Sequence, residues 1–256
     1  MKSLAPALYV VIFAAAVPSA HAWGGDGHRV VGELAWGLLE HGAQQAIRDI
    51  LGDETLADAS AWPDEVARSQ KRFDWARPLH YIDVSPTATE VKLDERNCKT
   101  DGRGHHECVV AAIGYFAGVV ADAEAPLWKR RNALRFLAHL VGDLHQPLHV
   151  SHTDNRGGNT VDVVFDGNKL TLHKLWDTAL IRAEEAAHFV REPTGGGGRE
   201  DDSPTWTWRE LAFAIRGAIA GQEVQDALAD VASVEAPKVA KAATATATQW
   251  ATETLK

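Results

Sequence analysis

Two His-x-x-x-Asp pairs stand out in the second half of the chain. His139 and Asp143 lie in "HLVGDLHQPLH", and His173 and Asp177 lie in "LHKLWD". Residues four apart share one face of a helix, so each pair can present a nitrogen and a carboxylate oxygen to the same ion. His149 follows just beyond a proline that ends the first of these helices. Imidazole and carboxylate ligands without a thiolate are a set that zinc accepts, so the pattern predicts metal chemistry.

Two upstream motifs supply further ligands for such a site. "WPDE" carries Asp64 and "LHYID" carries His80, each next to aromatic or apolar residues that favour a position inside the fold. Taken alone, either residue has a structural explanation: Asp64 as a helix N-cap, His80 as a hydrogen-bonded core histidine. A single His-x-x-x-Asp pair is likewise explained by a capped or ion-paired surface histidine. Their combination favours a metal centre built from distant segments.

Hydrophobic periodicity predicts that helices position these side chains. Apolar residues recur at helical spacing in several segments, which are 28–40, 43–52, 108–123, 126–145, 207–222 and 239–255. Strand-like alternation occurs in "NTVDVVFDGNKLTLH", where two runs flank an Asp-Gly turn and predict a hairpin. The Gly-rich, charged stretch 191–204 is typical of a flexible surface loop. The predicted fold class is mainly α, a single helical domain with a small β-hairpin.

The first 22 residues have the pattern of a secretory signal peptide. Lys2 precedes a short apolar run, and small residues at Ala20 and Ala22 suit cleavage before Trp23. The run has about ten residues, fewer than the roughly 20 of a membrane span. We therefore expect a secreted or periplasmic protein, with no membrane association and no obligate protein partner evident.

The mature chain is expected to be acidic and to contain one disulfide. Removing 1–22 takes away only Lys2, which leaves 25 basic against 35 acidic residues. Such a chain does not bind polyanions through a basic surface, so any attraction for nucleic acid must be local. Cys98 and Cys108 flank a polar loop, and in an exported protein a disulfide is the leading interpretation. A zinc knuckle with His105 and His106 is the alternative.

In their order along the chain, the motifs resemble those of the S1/P1 nuclease family, secreted enzymes with a trinuclear zinc site. The matching motifs are "WGGDGH", "WPDE", "LHYID", "RFLAHLVGDLHQPLH", "GGN", "VVFDG" and "LHKLWD". The resemblance covers nearly all of 23–256 and implies one zinc-dependent nuclease domain of the phospholipase C/P1 nuclease type. It also implies a mature chain that starts with tryptophan.

The resemblance implies that nine residues hold three zinc ions. Grouped by ion, they are Asp64, His80, His139 and Asp143; Trp23, His28 and Asp143; and His149, His173 and Asp177. Asp143 would bridge the first two ions. Trp23 would bind through its amine and carbonyl oxygen, and only a free amine has the lone pair that this requires. Cleavage between Ala22 and Trp23 would therefore complete the site.

The implied activity is endonucleolytic hydrolysis of single-stranded DNA and RNA to 5′-phosphorylated products, with 3′-nucleotidase activity. Asp64 and Asp143 would be catalytic through the metals they hold. Tyr81 would stack on a base, Asp83 would contact the base edge, and Asn159 would line the same pocket. A packing role for Tyr81 and a turn role for Asn159 remain open alternatives.

Two other functions are compatible with the motifs. A zinc-dependent phospholipase C shares the trinuclear scaffold and the tryptophan start, and a non-catalytic periplasmic zinc-binding protein could use the same ligands. The chain departs from the family where an arginine is common, because Ala67 occupies that place and Arg68 follows. The histidines predicted to lie outside the ligand set are His41, His105, His106, His145, His152 and His188.

Overall fold

The computed structural model describes residues 23–100, 106–187, 208–218 and 236–255. The predicted leader at 1–22 and the predicted loop at 191–204 lie outside these ranges, as do His105 and His188. The side chains of Arg68 and His106 are also outside the description. Among the described residues, no helix combines the length and the apolar character needed to span a bilayer.

Helices dominate the described chain, which confirms the predicted fold class. The helices are α1 (Gly25–Leu38), α2 (His41–Leu51), α3 (Leu56–Ser69), α4 (Val109–Ala121), α5 (Leu127–Leu144), α6 (Leu172–Lys174), α7 (Leu180–Ala187), α8 (Trp208–Ala218) and α9 (Ala236–Thr254). Lys71–His80 and Thr153–Asn155 are 3₁₀-helical, and a π-helical turn at Leu175–Ala179 joins α6 to α7. The strands are β1 (Ile82–Val84), β2 (Lys99–Thr100), β3 (His106–Glu107), β4 (Val150–His152), β5 (Asp162–Phe165) and β6 (Asn168–Thr171).

The main core lies where α4 packs between α5 and α9. Phe116 of α4 stacks on Phe136 of α5 with ring centroids 4.8 Å apart, and Leu140 of α5 is fully buried beside them. Ala247 and Ala251 of α9 are also fully buried in this cluster. Burying a large apolar side chain stabilises a fold by about 1.5–3 kcal/mol, so this cluster anchors α5, the helix that carries His139 and Asp143.

We expect Gly114→Ala to destabilise the protein by about 1–3 kcal/mol, because α4 and α9 touch at this position. An added Cβ would lie 1.9 Å from Thr244 Oγ1 and 2.9 Å from the Ala240 carbonyl oxygen. Gly42→Ala on α2 is the matched control, since nothing lies within 4 Å of its added Cβ. Urea unfolding of both variants tests this, and equal midpoints would contradict the close packing.

The predicted hairpin is confirmed. Strands β5 and β6 are antiparallel, with Phe165 opposite Asn168. Asp166 and Gly167 have φ values of 48° and 73°, so both central turn residues are left-handed. This is the conformation that favours an Asp-Gly dipeptide in a two-residue turn.

The hairpin is accompanied by strands that the sequence pattern does not predict. β1 and β4 form a parallel pair in which Ile82, Asp83 and Val84 face Val150, Ser151 and His152. Each strand has only three residues, too few for an alternation signal, and the pairing joins segments far apart in the chain. This pair places the residues after His80 beside those after His149.

The disulfide is also confirmed. Cys98 and Cys108 are bonded to each other and buried, and the short strands β2 and β3 lie within the loop that they close. Because both sulfur atoms are in this bond, neither is available for the alternative zinc knuckle.

Candidate metal centre

Five of the predicted ligands converge where α1, α3 and α5 meet. His28 comes from α1, Asp64 from α3, and His139 and Asp143 from successive turns of α5. His80 is the last residue of the 3₁₀ segment that follows α3. All except His80 are almost fully buried. Asp64 lies inside α3, whose N-cap is Thr55, so the N-cap explanation for Asp64 is wrong.

The Asp143 carboxylate contacts three histidines. Its Oδ2 lies 2.9 Å from His80 Nδ1 and 3.2 Å from His139 Nε2, and its Oδ1 lies 3.2 Å from His28 Nε2. Asp64 Oδ1 is 3.7 Å from His139 Nε2. The two oxygens of Asp143 therefore face different histidines, which is the arrangement needed to bridge two ions.

The second group of ligands lies just past the end of α5. His173 Nε2 is 3.1 Å from Asp177 Oδ2, and the ring of His149 stacks beside that of His173 with centroids 5.1 Å apart. Asp177 lies in the π-helical turn at Leu175–Ala179. Short π-helical turns are frequent at functional sites, and here the turn joins the helical segments on either side of Asp177. His149, His173 and Asp177 are all buried.

Backbone carbonyls fix the tautomers of three histidines. The Nδ1 atoms of His139, His149 and His173 donate to the carbonyl oxygens of Ser60, His80 and Gly157, at 2.7, 2.7 and 2.5 Å. A neutral ring that donates from Nδ1 keeps its lone pair on Nε2. Hydrogen bonds of this kind orient metal-ligating histidines. All three Nε2 atoms can therefore accept a cation when their rings are neutral.

The donor atoms fit a metal ion. A tetrahedral zinc ion with bonds of about 2.0–2.1 Å holds its ligand atoms about 3.3 Å apart. Three of the donor atoms, namely His80 Nδ1, His139 Nε2 and Asp143 Oδ2, lie 2.9 to 3.2 Å from one another.

The Nε2 atom of His149 is buried and has no hydrogen-bond partner in the described part of the chain. A buried lone pair without a donor is costly, and a cation would satisfy it. Three groups of donor atoms each fall within 4.8 Å, namely His28, Asp64 and His139; His80, His139 and Asp143; and His149, His173 and Asp177.

Burial and charge set the protonation of these ligands. Burial lowers the pKa of His149 to about 4, so its ring is neutral at neutral pH. Burial opposes ionisation of Asp143, but the positive charge of His139 and hydrogen bonds from the histidines hold the pKa of Asp143 well below its usual range. Burial likewise disfavours charge on His139, yet Asp143 raises the pKa of His139 to about 9. A cation would replace that proton, so acid competes with metal binding.

Glycines permit the close approach of the segments that carry these ligands. A Cβ on Gly32 of α1 would lie 2.7 Å from the Leu56 carbonyl oxygen and from Ser60 Oγ. The Ser60 hydroxyl donates to the His28 carbonyl at 2.6 Å, which ties α3 to α1. Gly142 of α5 has the same function on the other side, because its added Cβ would lie 3.2 Å from His28 Nδ1.

Trp23 lies beside this cluster. Its indole Nε1 donates to the Gly142 carbonyl at 3.0 Å, one residue before Asp143. The amide of Gly24 donates to the Asp177 carbonyl at 2.5 Å. The start of the described chain is therefore held between the last turn of α5 and the π-helical turn.

Two of the three predicted substrate residues, Tyr81 and Asp83, lie directly before β1 and on β1. Tyr81 is 44% exposed next to His80, and Asp83 lies on β1 opposite Ser151. Burial raises the pKa of Asp83, and the Arg156 guanidinium acts in the opposite direction. Asn159 donates its side-chain amide to the Arg156 carbonyl at 3.0 Å, a turn contact. Roles for Tyr81, Asp83 and Asn159 in substrate binding stay predictions.

The other described histidines do not belong to these groups. His145 donates to the carbonyl of Val141 and His152 to that of Ser85. His41 is exposed at the start of α2.

The residues that support the ligands were not predicted from the sequence. Ser60 and Gly157 supply carbonyls to His139 and His173. Gln146 is fully buried and donates to Asp177 at 2.5 Å. A signal existed only for Gln146, which lies between ligands in "DLHQPLH", because a backbone carbonyl has no signature in the sequence.

Comparison with known proteins identifies the family of this chain. Residues 23–256 match the family model described as S1/P1 Nuclease. The chain is 34% identical over 179 residues to Endonuclease 2 of Arabidopsis thaliana, covering 67% of this chain and 60% of that protein. It is 33% identical over 173 residues to Nuclease S1 of Aspergillus oryzae, covering 65% and 56%. It is 33% identical over 176 residues to Nuclease P1 of Penicillium citrinum, covering 66% and 62%. The alignments thus span about three fifths of these relatives, whereas the family model spans 23 to the last residue of this chain. The chain belongs to the S1/P1 nuclease family.

Proposed function

We propose that the protein is a zinc-dependent endonuclease that hydrolyses phosphodiester bonds of single-stranded DNA and RNA to 5′-phosphorylated products, with 3′-nucleotidase activity. The single observation that carries this proposal is the buried Asp143 carboxylate, which contacts three histidines beside a second His/Asp group. Family membership is the independent support.

The proposed site would hold three zinc ions. The first would be held by Asp64, His80, His139 and Asp143, the second by Trp23, His28 and Asp143, and the third by His149, His173 and Asp177. Such ions supply Lewis-acid polarisation of phosphoryl oxygens and a lowered pKa for coordinated water. The carbonyl-bound histidines hold their rings in place before substrate arrives, so the site is preorganised.

The proposed site attracts its substrate locally. Three divalent cations carry six charges, and the carboxylates of Asp64, Asp143 and Asp177 offset three of them. The remaining positive charge acts on phosphates at short range, since the Debye length is about 8 Å in physiological salt. Such local attraction would allow the chain without 1–22, with 25 basic and 35 acidic residues and hence a net charge of −10, to bind a polyanion.

Tyr81 and Asp83 are proposed to hold one nucleobase beside the metal ligands. Tyr81 follows His80 directly and its ring is half exposed, which leaves a surface for stacking. Stacking is worth about 1–3 kcal/mol per base and tolerates any base, but it needs an unpaired one. The geometry therefore supports a preference for single strands with little sequence selectivity.

The protein is proposed to act after export. The leader pattern in 1–22 and the position of Trp23 beside Gly142 support cleavage between Ala22 and Trp23. A free amine at Trp23 would then lie next to residues that are proposed to hold the second ion.

The test is a parallel assay of the exported protein on single-stranded DNA, RNA, a 3′-nucleotide and phosphatidylcholine. We expect cleavage of the first three, loss of at least about 99% of activity on chelation, and recovery with zinc, because the metals supply the chemistry. Phosphatidylcholine cleavage alone would favour a phospholipase C. Zinc binding without any phosphoester hydrolysis would favour a storage protein, and either result would refute the proposal.

A further inference from the structure

Gln146 is a buried polar side chain that the proposed function leaves unexplained. It is fully buried in the segment between Asp143 and His149. Its side-chain Nε2 donates to Asp177 Oδ1 at 2.5 Å, and its Oε1 accepts a hydrogen bond from the Leu148 amide. Leu148 N–H can bond only to an oxygen, so the amide group must turn its NH₂ towards Asp177. The orientation of this side chain is thus determined by its surroundings.

The backbone of Gln146 connects the two groups of ligands. Its amide donates to the Asp143 carbonyl at 3.0 Å, and its carbonyl accepts from the His149 amide at 2.9 Å. These bonds form the turn that follows α5. One residue therefore contacts, through backbone or side chain, three proposed ligands that come from two separate segments.

Because of the hydrogen bond from Gln146, the two carboxylate oxygens of Asp177 have different partners. Oδ1 is occupied by the amide donor, while Oδ2 faces His173 Nε2 at 3.1 Å. A carboxylate with one oxygen held in this way presents the other oxygen alone to an ion. The donor is also neutral, so it supports the negative charge of Asp177 without cancelling the charge that attracts a cation.

We propose that Gln146 is a positioning residue that makes Asp177 a one-oxygen ligand and thereby sets the metal affinity of the His149, His173 and Asp177 group. This inference rests on the proposed function for the presence of a metal there. Hydrogen bonds to metal ligands commonly change metal affinity by about 10–100-fold, so an effect of that size is expected.

Two substitutions separate this role from general packing. Gln146→Met keeps the length of the side chain and removes both of its hydrogen bonds. Gln146→Glu keeps an acceptor for the Leu148 amide and replaces the donor that faces Asp177 with an oxygen. Gln45→Met is the matched control, because Gln45 Nε2 donates to Asp49 Oδ1 at 2.9 Å on the exposed face of α2.

The readout is zinc affinity, measured on the mature protein by competition with a chromophoric chelator, together with the absorption spectrum of the cobalt-substituted protein. For both Gln146 variants we expect one zinc ion to bind about 10–100-fold more weakly and the cobalt spectrum to change. The affinity for the other zinc ions should be unchanged in these variants. Gln45→Met should have the zinc affinity and the cobalt spectrum of the unmutated protein.

Unchanged zinc affinity and an unchanged cobalt spectrum in Gln146→Met would overturn the inference. If that variant does not fold without metal, Gln146→Glu decides in the same way. Failure of the proposed function has a different signature, in which the unmutated protein binds zinc but cleaves no nucleic acid. An unmutated protein without an ion at this group would overturn the inference as well.

Discussion

Asp143→Asn is expected to reduce kcat/KM on single-stranded DNA by at least about 1000-fold and to lower the zinc content. Asparagine keeps the volume of the side chain but has no charge and only one oxygen. In the native protein the two carboxylate oxygens face different histidines, His28 on one side and His80 and His139 on the other. Loss of the charge and of one oxygen should therefore weaken the binding of both ions that Asp143 is proposed to bridge.

The measurement combines steady-state kinetics with elemental analysis of dialysed protein, and circular dichroism verifies the fold. Asp49→Asn is the control, because Asp49 is an exposed aspartate on α2. Asp143→Ala should lose at least as much activity as Asp143→Asn. A full complement of zinc with unchanged activity in either Asp143 variant would contradict the bridging role.

Retention of a single residue ahead of Trp23 is expected to remove about one zinc ion and to reduce activity by at least about 100-fold. An amide nitrogen inside a peptide bond has no available lone pair, whereas a free terminal amine does. The segment itself is already in place, because Trp23 and Gly24 are tied to Gly142 and Asp177. The extension therefore tests the amine and not the position of the chain.

Trp23→Phe separates the amine from the indole. This variant keeps the free amine, loses the hydrogen bond from the indole to the Gly142 carbonyl, which is worth about 1 kcal/mol, and loses part of the indole ring beside Gly142. We expect it to retain zinc and most of its activity. The amino-terminal sequence and intact mass of each protein must be determined alongside its zinc content. Equal zinc content and activity in the extended protein would disprove the role of the amine.

Much of the helical architecture follows from local pattern. The apolar periodicity of 28–40, 108–123 and 126–145 corresponds to α1, α4 and α5 within a few residues. The Asp-Gly dipeptide at 166–167 predicts the turn of the hairpin. The turn requires left-handed backbone at both residues, and the tendency to adopt it is a local property of this dipeptide. In α3 the periodicity is interrupted by polar residues and Pro63, and there the local signal fails.

The types and spacing of the histidines and aspartates are enough to predict side chains that could hold a metal ion. A four-residue interval on a helix fixes which of these side chains share a face. The tertiary structure decides which of these side chains come within reach of one ion. Asp143 turns one oxygen to each side because α1, α3 and α5 meet at Gly32 and Gly142, where no Cβ keeps them apart. The parallel pairing of β1 with β4, the carbonyls that orient His139 and His173, and the Gln146 contact to Asp177 are all long-range. Such contacts depend on where distant segments pack, and no local pattern encodes that.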